Sequence, residues 1–314
     1  MNRVREWTVP IGRQVDGSPW PLRFVEITAS APGPTTGFVA GLWGDKPLGV
    51  LTLHELVDTL TELPLAGTVL LCPAVNLPAL AAGTRVSPDH HQLNRRFPGS
   101  PTGFLTDQIA HALHATLTEH CSTVVDLHSG TPTMALRYTY DFGDLDLSVA
   151  FGQLPVVVDH AYPTQLSAVL ARGGVPSCLP EFGGGPFRES TAGIAGCLNV
   201  LRYRGQLDSP LTGPPTVPVI RDLHLVLPST TGVLVGTLGP GDVGATVPTG
   251  VLGWVTNVLT GERVEEFVVE RPGGILLMAS ASPAMVAPGA YAFMIGFPFQ
   301  ERPLPATGSA PSVP

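Results

Sequence analysis

The stretch Gly37-Phe38-Val39-Ala40-Gly41-Leu42-Trp43-Gly44-Asp45-Lys46-Pro47, with Leu48 to Thr61 behind it, reads as strand, loop and helix. Thr36 to Leu42 is an uncharged run, the pattern of a strand covered on both faces. Apolar residues at 50, 53, 56, 57 and 60 then make one helical face. A doubly covered strand followed by a helix is the repeating unit of an α/β sheet.

The same rhythm extends in both directions. Phe24 to Ile27, Thr68 to Pro73, Cys121 to Leu127, Val156 to Asp159 and Ser177 to Pro180 read as strands; Leu105 to His120, Gln165 to Arg172 and Glu189 to Arg204 read as helices. Ala74 to Thr102 is long and irregular, and such loops are usually functional. After Asp208 the helices stop, and Pro and Gly punctuate short Val, Leu and Ile runs. The expected fold is α/β, a central mixed sheet flanked by helices, plus a small C-terminal all-β domain. Its expected divisions are an α/β domain at 1–208, a β domain at 209–299 and a flexible tail at 300–314.

Composition narrows the function. The 314 residues carry a net charge of −8, against nucleic acid as a partner. No run of 18 uncharged apolar residues and no signal-peptide pattern is present, so the reading is a cytoplasmic protein without a membrane partner. Cys72, Cys121, Cys178 and Cys197 form no C-x-x-C pair and read as reduced, buried thiols. Of 17 basic residues only Lys46 is a lysine. In α/β sheets the site lies at the carboxyl ends of strands, where 43–47, 126–130 and 181–185 leave; Asn94-Arg95 lies on the long loop. These four segments are expected to converge.

Five motifs in order resemble the succinylglutamate desuccinylase/aspartoacylase family, a branch of the zinc-carboxypeptidase-like fold. They are Gly41-Leu42-Trp43-Gly44-Asp45-Lys46-Pro47-Leu48-Gly49, Gly83-Thr84-Arg85, Gln92-Leu93-Asn94-Arg95-Arg96-Phe97-Pro98-Gly99, Asp126-Leu127-His128-Ser129-Gly130 and Glu181-Phe182-Gly183-Gly184. The resemblance implies a deacylase acting on a small carboxylated, N-acyl amino acid-like substrate. It implies that Arg85, Asn94 and Arg95 hold the substrate carboxylate, and that Glu181 is the general base.

It also implies a zinc ion on the His and Glu of H-x-x-E and on the His of D-L-H. Here those positions hold Trp43, Lys46 and His128. One imidazole does not hold catalytic zinc, which takes three protein ligands and a water. No cofactor is therefore expected; a substitute zinc site would need His128 with His91 (or its neighbour His90) or Asp45. The expected catalytic residues are Glu181, Lys46 and His128. Lys46 could pair with Glu181 and polarise a carbonyl, act as a base or nucleophile, or be a relic of a decaying site. Three readings stay open: an altered, metal-free enzyme of this fold, including one turned to biosynthetic acyl or condensation chemistry; a metal-dependent amidohydrolase with substitute ligands; and a non-catalytic binding protein. A homo-oligomer fits all three.

Overall fold

The computed structural model describes residues 2–160 and 162–311. Strands β1 (Arg3–Ile11), β2 (Trp20–Thr28) and β3 (Ala31–Ala40) lead into helix α1 (Leu48–Glu62). Then follow β4 (Ala66–Cys72), α2 (Leu77–Ala82), α3 (Leu105–His120), β5 (Thr123–Ser129), β6 (Met134–Leu136) and β7 (Tyr138–Asp141). Next come α4 (Leu145–Ala150), β8 (Val156–Val157), α5 (Leu166–Arg172), β9 (Ser177–Phe182) and α6 (Thr191–Tyr203). Strands follow from there: β10 (Thr216–Val226), β11 (Gly232–Gly236), β12 (Thr246–Val247), β13 (Gly250–Thr256), β14 (Arg263–Val269), β15 (Gly274–Ser280), β16 (Ala284–Val286) and β17 (Phe293–Pro303).

The main sheet runs β1-β2-β4-β3-β5-β9-β7-β8-β10-β17-β15-β12, with β6 on β15. Pairs β4/β3, β3/β5 and β5/β9 are parallel; β1/β2, β2/β4 and β7/β9 are antiparallel. The mixed sheet is thus as expected. A second sheet, β14-β13-β11-β16, holds the remaining C-terminal strands. The main sheet crosses the linker at 208/209, because β10 pairs with β8.

Strand alternation sorts the core. Phe38, Val69, Leu71, Val125 and Leu127 face the layer of α1, α4 and α6. Val39, Leu70, Cys72 and Val124 face the layer of α3 and α5. Period-2 geometry turns Asp126 and His128 to the same side as Val124, toward α3 and α5. No described helix is long and apolar enough to cross a membrane. All four thiols are free and buried, and burial pushes that of Cys121 up to about 12.

Three differences from the sequence reading have physical causes. β1 is mostly exposed and carries no apolar run, so no pattern announces it. The stretch at 74–102 is not wholly irregular: Asn76 caps α2, its side-chain oxygen accepting from Ala79 N, and Leu93–Arg95 makes a single tight turn. The tail does not leave the body at 300. β17 runs to Pro303, Thr307 Oγ1 donates to Ser209 O at 2.8 Å, and Ala310 packs on the core beside α1 and α6. Residues 312–314 lie outside the described residues.

Candidate active site

Gly41 turns the chain out of β3 with φ +74°, a conformation that favours glycine. Gly44 then lies so close to α2 that an added Cβ would sit 1.9 Å from Ala79 O. The loop is thereby clamped, and it delivers Trp43 and Lys46 inward. Asn76 holds it from behind: its Nδ2 donates to Leu42 O (3.1 Å) and to Ser87 Oγ (3.0 Å).

Lys46 Nζ lies 3.1 Å from Glu181 Oε2 and 3.5 Å from Oε1. Their side chains are only 5% and 6% exposed. Burial pulls the Lys46 pKa down, Glu181 opposes that, and Arg85 adds to it. The ammonium also sits 4.2 Å from the centre of the Trp43 ring, and the Arg85 guanidinium 3.9 Å from it. Arg95 stacks on Tyr162 at 4.0 Å, and its Nη1 donates to Asn94 O at 2.7 Å. Burial lowers the Arg95 pKa, with Arg85 contributing.

Lys46, Arg85, Arg95 and Glu181 line one cleft of about 70 Å³. Asn94 and His128 do not reach it; they stand one layer behind. Asn94 is fully buried, and its Oδ1 accepts from Leu166 N at 2.9 Å, pinning the start of α5. His128 pairs in register with Glu181 on the neighbouring strand and packs edge-on to Trp43 at 4.9 Å between ring centres. Its Nε2 lies 3.4 Å from Asn94 Nδ2 and 3.0 Å from Asp126 Oδ1, so one nitrogen faces both a donor and an acceptor. The Asp126 contact is out of line for a hydrogen bond, and both carboxylate oxygens lack a hydrogen-bond partner.

The cleft also contains groups the sequence did not single out: Tyr138, Tyr140, Tyr162, Gln165 and Tyr291. Tyr138 is the cross-strand partner of Glu181. Burial, with help from Tyr140 and Glu181, holds its hydroxyl far on the protonated side. Alternation along β7 could have found Tyr138 and Tyr140 as a pair; nothing local marks Tyr291.

The succinylglutamate desuccinylase/aspartoacylase catalytic-domain family matches residues 32–202, more than half of the chain. The chain belongs to this family. The N-alpha-acetyl-L-2,4-diaminobutyric acid deacetylase of Halomonas elongata is 37% identical over 122 residues, 38% of this chain and 36% of that protein. Matched sequence thus spans about a third of that relative's length. The succinylglutamate desuccinylase/aspartoacylase of Rhodobacter sphaeroides superposes with a TM-score of 0.80 at 24% identity, covering 95% of this chain and 96% of its own. The product-bound ectoine utilization protein EutE (DoeB) of Ruegeria pomeroyi gives 0.80 at 25% identity, covering 94% and 95%. The mixed-sheet fold of the family is therefore shared along nearly the whole chain.

The residues at the implied zinc positions do not fit a zinc ion. Lys46 puts a buried ammonium where a ligand would stand, and Trp43 fills the space beside His128 with an indole. The substitute set does not assemble either. His91 turns to Asp89 (3.7 Å) and lies against Phe104, His90 sits in a left-handed turn beside it, and Asp45 Oδ1 is buried without a partner. Among the described residues no three His, Cys, Asp or Glu side chains gather in a metal-holding group.

Proposed function

We propose that this chain makes or breaks an amide bond of a small N-acyl amino acid without a metal ion, Lys46 standing in for the lost cation. The observation that carries this reading is the buried 3.1 Å contact between Lys46 and Glu181 in the lining of a cleft with two arginines. An ammonium has three protons to donate and Glu181 uses only part of them. The remaining direction is free for a substrate carbonyl oxygen, whose developing negative charge the fixed ammonium stabilises. Glu181 accepts the proton of the attacking group and returns it to the leaving nitrogen. Arg85 and Arg95 hold the substrate carboxylate, each braced on an aromatic plate. Trp43 keeps water from the rear of the site, which suits acyl transfer or condensation as well as hydrolysis. The named activity of one relative, a deacetylase of N-alpha-acetyl-L-2,4-diaminobutyric acid, supports the substrate class. Reduced, buried thiols suit a cytoplasmic setting.

The test is turnover of a panel of N-acyl amino acids by chelator-treated protein, read by mass spectrometry for both cleavage and acyl transfer. Turnover that survives chelation and vanishes in Glu181→Gln supports the reading. Turnover that needs added zinc, or binding with no turnover on any acyl amino acid, overturns it.

A further inference from the structure

The cleft lining combines a cationic part with an apolar one. Arg85 and Arg95 line the same cleft, each stacked on an aromatic ring; Arg85 helps lower the Arg95 pKa, and both cations act on the Tyr291 hydroxyl. They make one anion station. Lys46 is engaged by Glu181. Beside the tyrosines and Gln165, the rest of the lining comes from β6, β15 and β17. There Met278 pairs in register with Leu136 on one side and Met294 on the other, so Leu136–Met278–Met294 forms a row across three strands. All three line the cleft, as does Met134, two residues before Leu136 on β6 and opposite Ser280. Three of the five methionines of the chain thus meet in one small space. The nearby cation, Arg137, is turned away by strand alternation and stacks toward Phe187 at 5.3 Å.

We propose that the substrate is a monocarboxylate whose second arm is aliphatic or aromatic and lies on the Leu136–Met278–Met294 row, and that dicarboxylated acyl amino acids are rejected. Methionine is the residue suited to such a wall, since its unbranched thioether adapts to apolar shapes. A second carboxylate laid against these three side chains would be desolvated on apolar atoms, the cleft's cations being engaged by Glu181 and by the first carboxylate. This inference rests on the carboxylate-binding role given above to Arg85 and Arg95.

The experiment is calorimetric titration of the whole chain with N-acetylglycine, N-hexanoylglycine, N-acetylnorleucine, N-succinylglycine and N-acetylaspartate. N-hexanoylglycine or N-acetylnorleucine binds more tightly than N-acetylglycine by roughly fourfold per methylene that reaches the row. Neither dicarboxylate binds more tightly than N-acetylglycine. Met278→Lys reverses the order, favouring N-succinylglycine over N-hexanoylglycine by tenfold or more; if that variant does not fold, the wild-type series decides. Equal affinity for all five, or a preference for a dicarboxylate, overturns the inference while leaving the arginine clamp intact. No binding of any of the five, or binding that Arg95→Ala leaves unchanged, removes the clamp itself and the inference with it.

Discussion

Replacing Lys46 with methionine should separate a working ion pair from a relic. At 3.1 Å and an effective dielectric of 20, the attraction is about 5 kcal/mol. Desolvating both charges consumes most of that, so the intact pair adds little net stability. Removing one partner is different, because it strands the other charge in a site that is about 95% closed to water. Lys46→Met and Glu181→Gln should each cost about 3–5 kcal/mol if the stranded partner stays charged. The double variant should recover most of the loss, since two neutral groups of similar volume replace the pair. The assay is urea unfolding of all four proteins, with the coupling energy taken from the cycle. The pair predicts single-site losses of several kcal/mol and a double variant close to wild type. Single losses below about 1 kcal/mol that simply add would refute it, and the lysine would then be a solvated passenger.

Gly44→Ala forces a Cβ onto Ala79 O, so it should cost at least the 1–3 kcal/mol of ordinary overpacking and lower ligand affinity as the loop shifts; thermal unfolding and calorimetry check both. Asn76→Ala leaves Leu42 O and Ser87 Oγ short of a donor and should cost about 2 kcal/mol, read by urea unfolding. The Arg96 hydrogen bond holds Asp107 below the usual carboxylate range of 3.8. A depressed carboxylate contributes stability above its unfolded pKa and loses it as pH falls through the folded value, so the Asp107 contribution should fade below about pH 4. Asp107→Asn should flatten that part of the acid unfolding curve, and an unchanged curve would show that Arg96 and Asp107 do not interact in solution.

Much of this was legible in residue order. The run at 37–42 followed by a helical face set the parallel sheet, and the five motifs gave the family, because a loop between buried elements leaves few places for its polar residues. The gathering of Lys46, Arg95 and Glu181 followed from topology, since each sits on or beside a connection at the carboxyl ends of the strands; Arg85 came from the family resemblance alone. The retreat of Asn94 and His128 behind the wall did not follow. It depends on Asn94 finding Leu166 N and on the Trp43 ring covering His128, contacts between residues far apart in sequence. The Met278 and Met294 wall was equally hidden, because in sequence both look like ordinary buried strand positions, and only the β6-β15-β17 pairing shows which way they face.

The central claim is that an ammonium has replaced a metal, and zinc titration of the chelated protein by calorimetry tests it directly. Wild type should show no zinc binding dependent on His128, whereas Trp43→His/Lys46→Glu should bind one ion per chain and lose it when His128 is replaced by alanine. One zinc bound per wild-type chain, abolished by His128→Ala, would contradict the account.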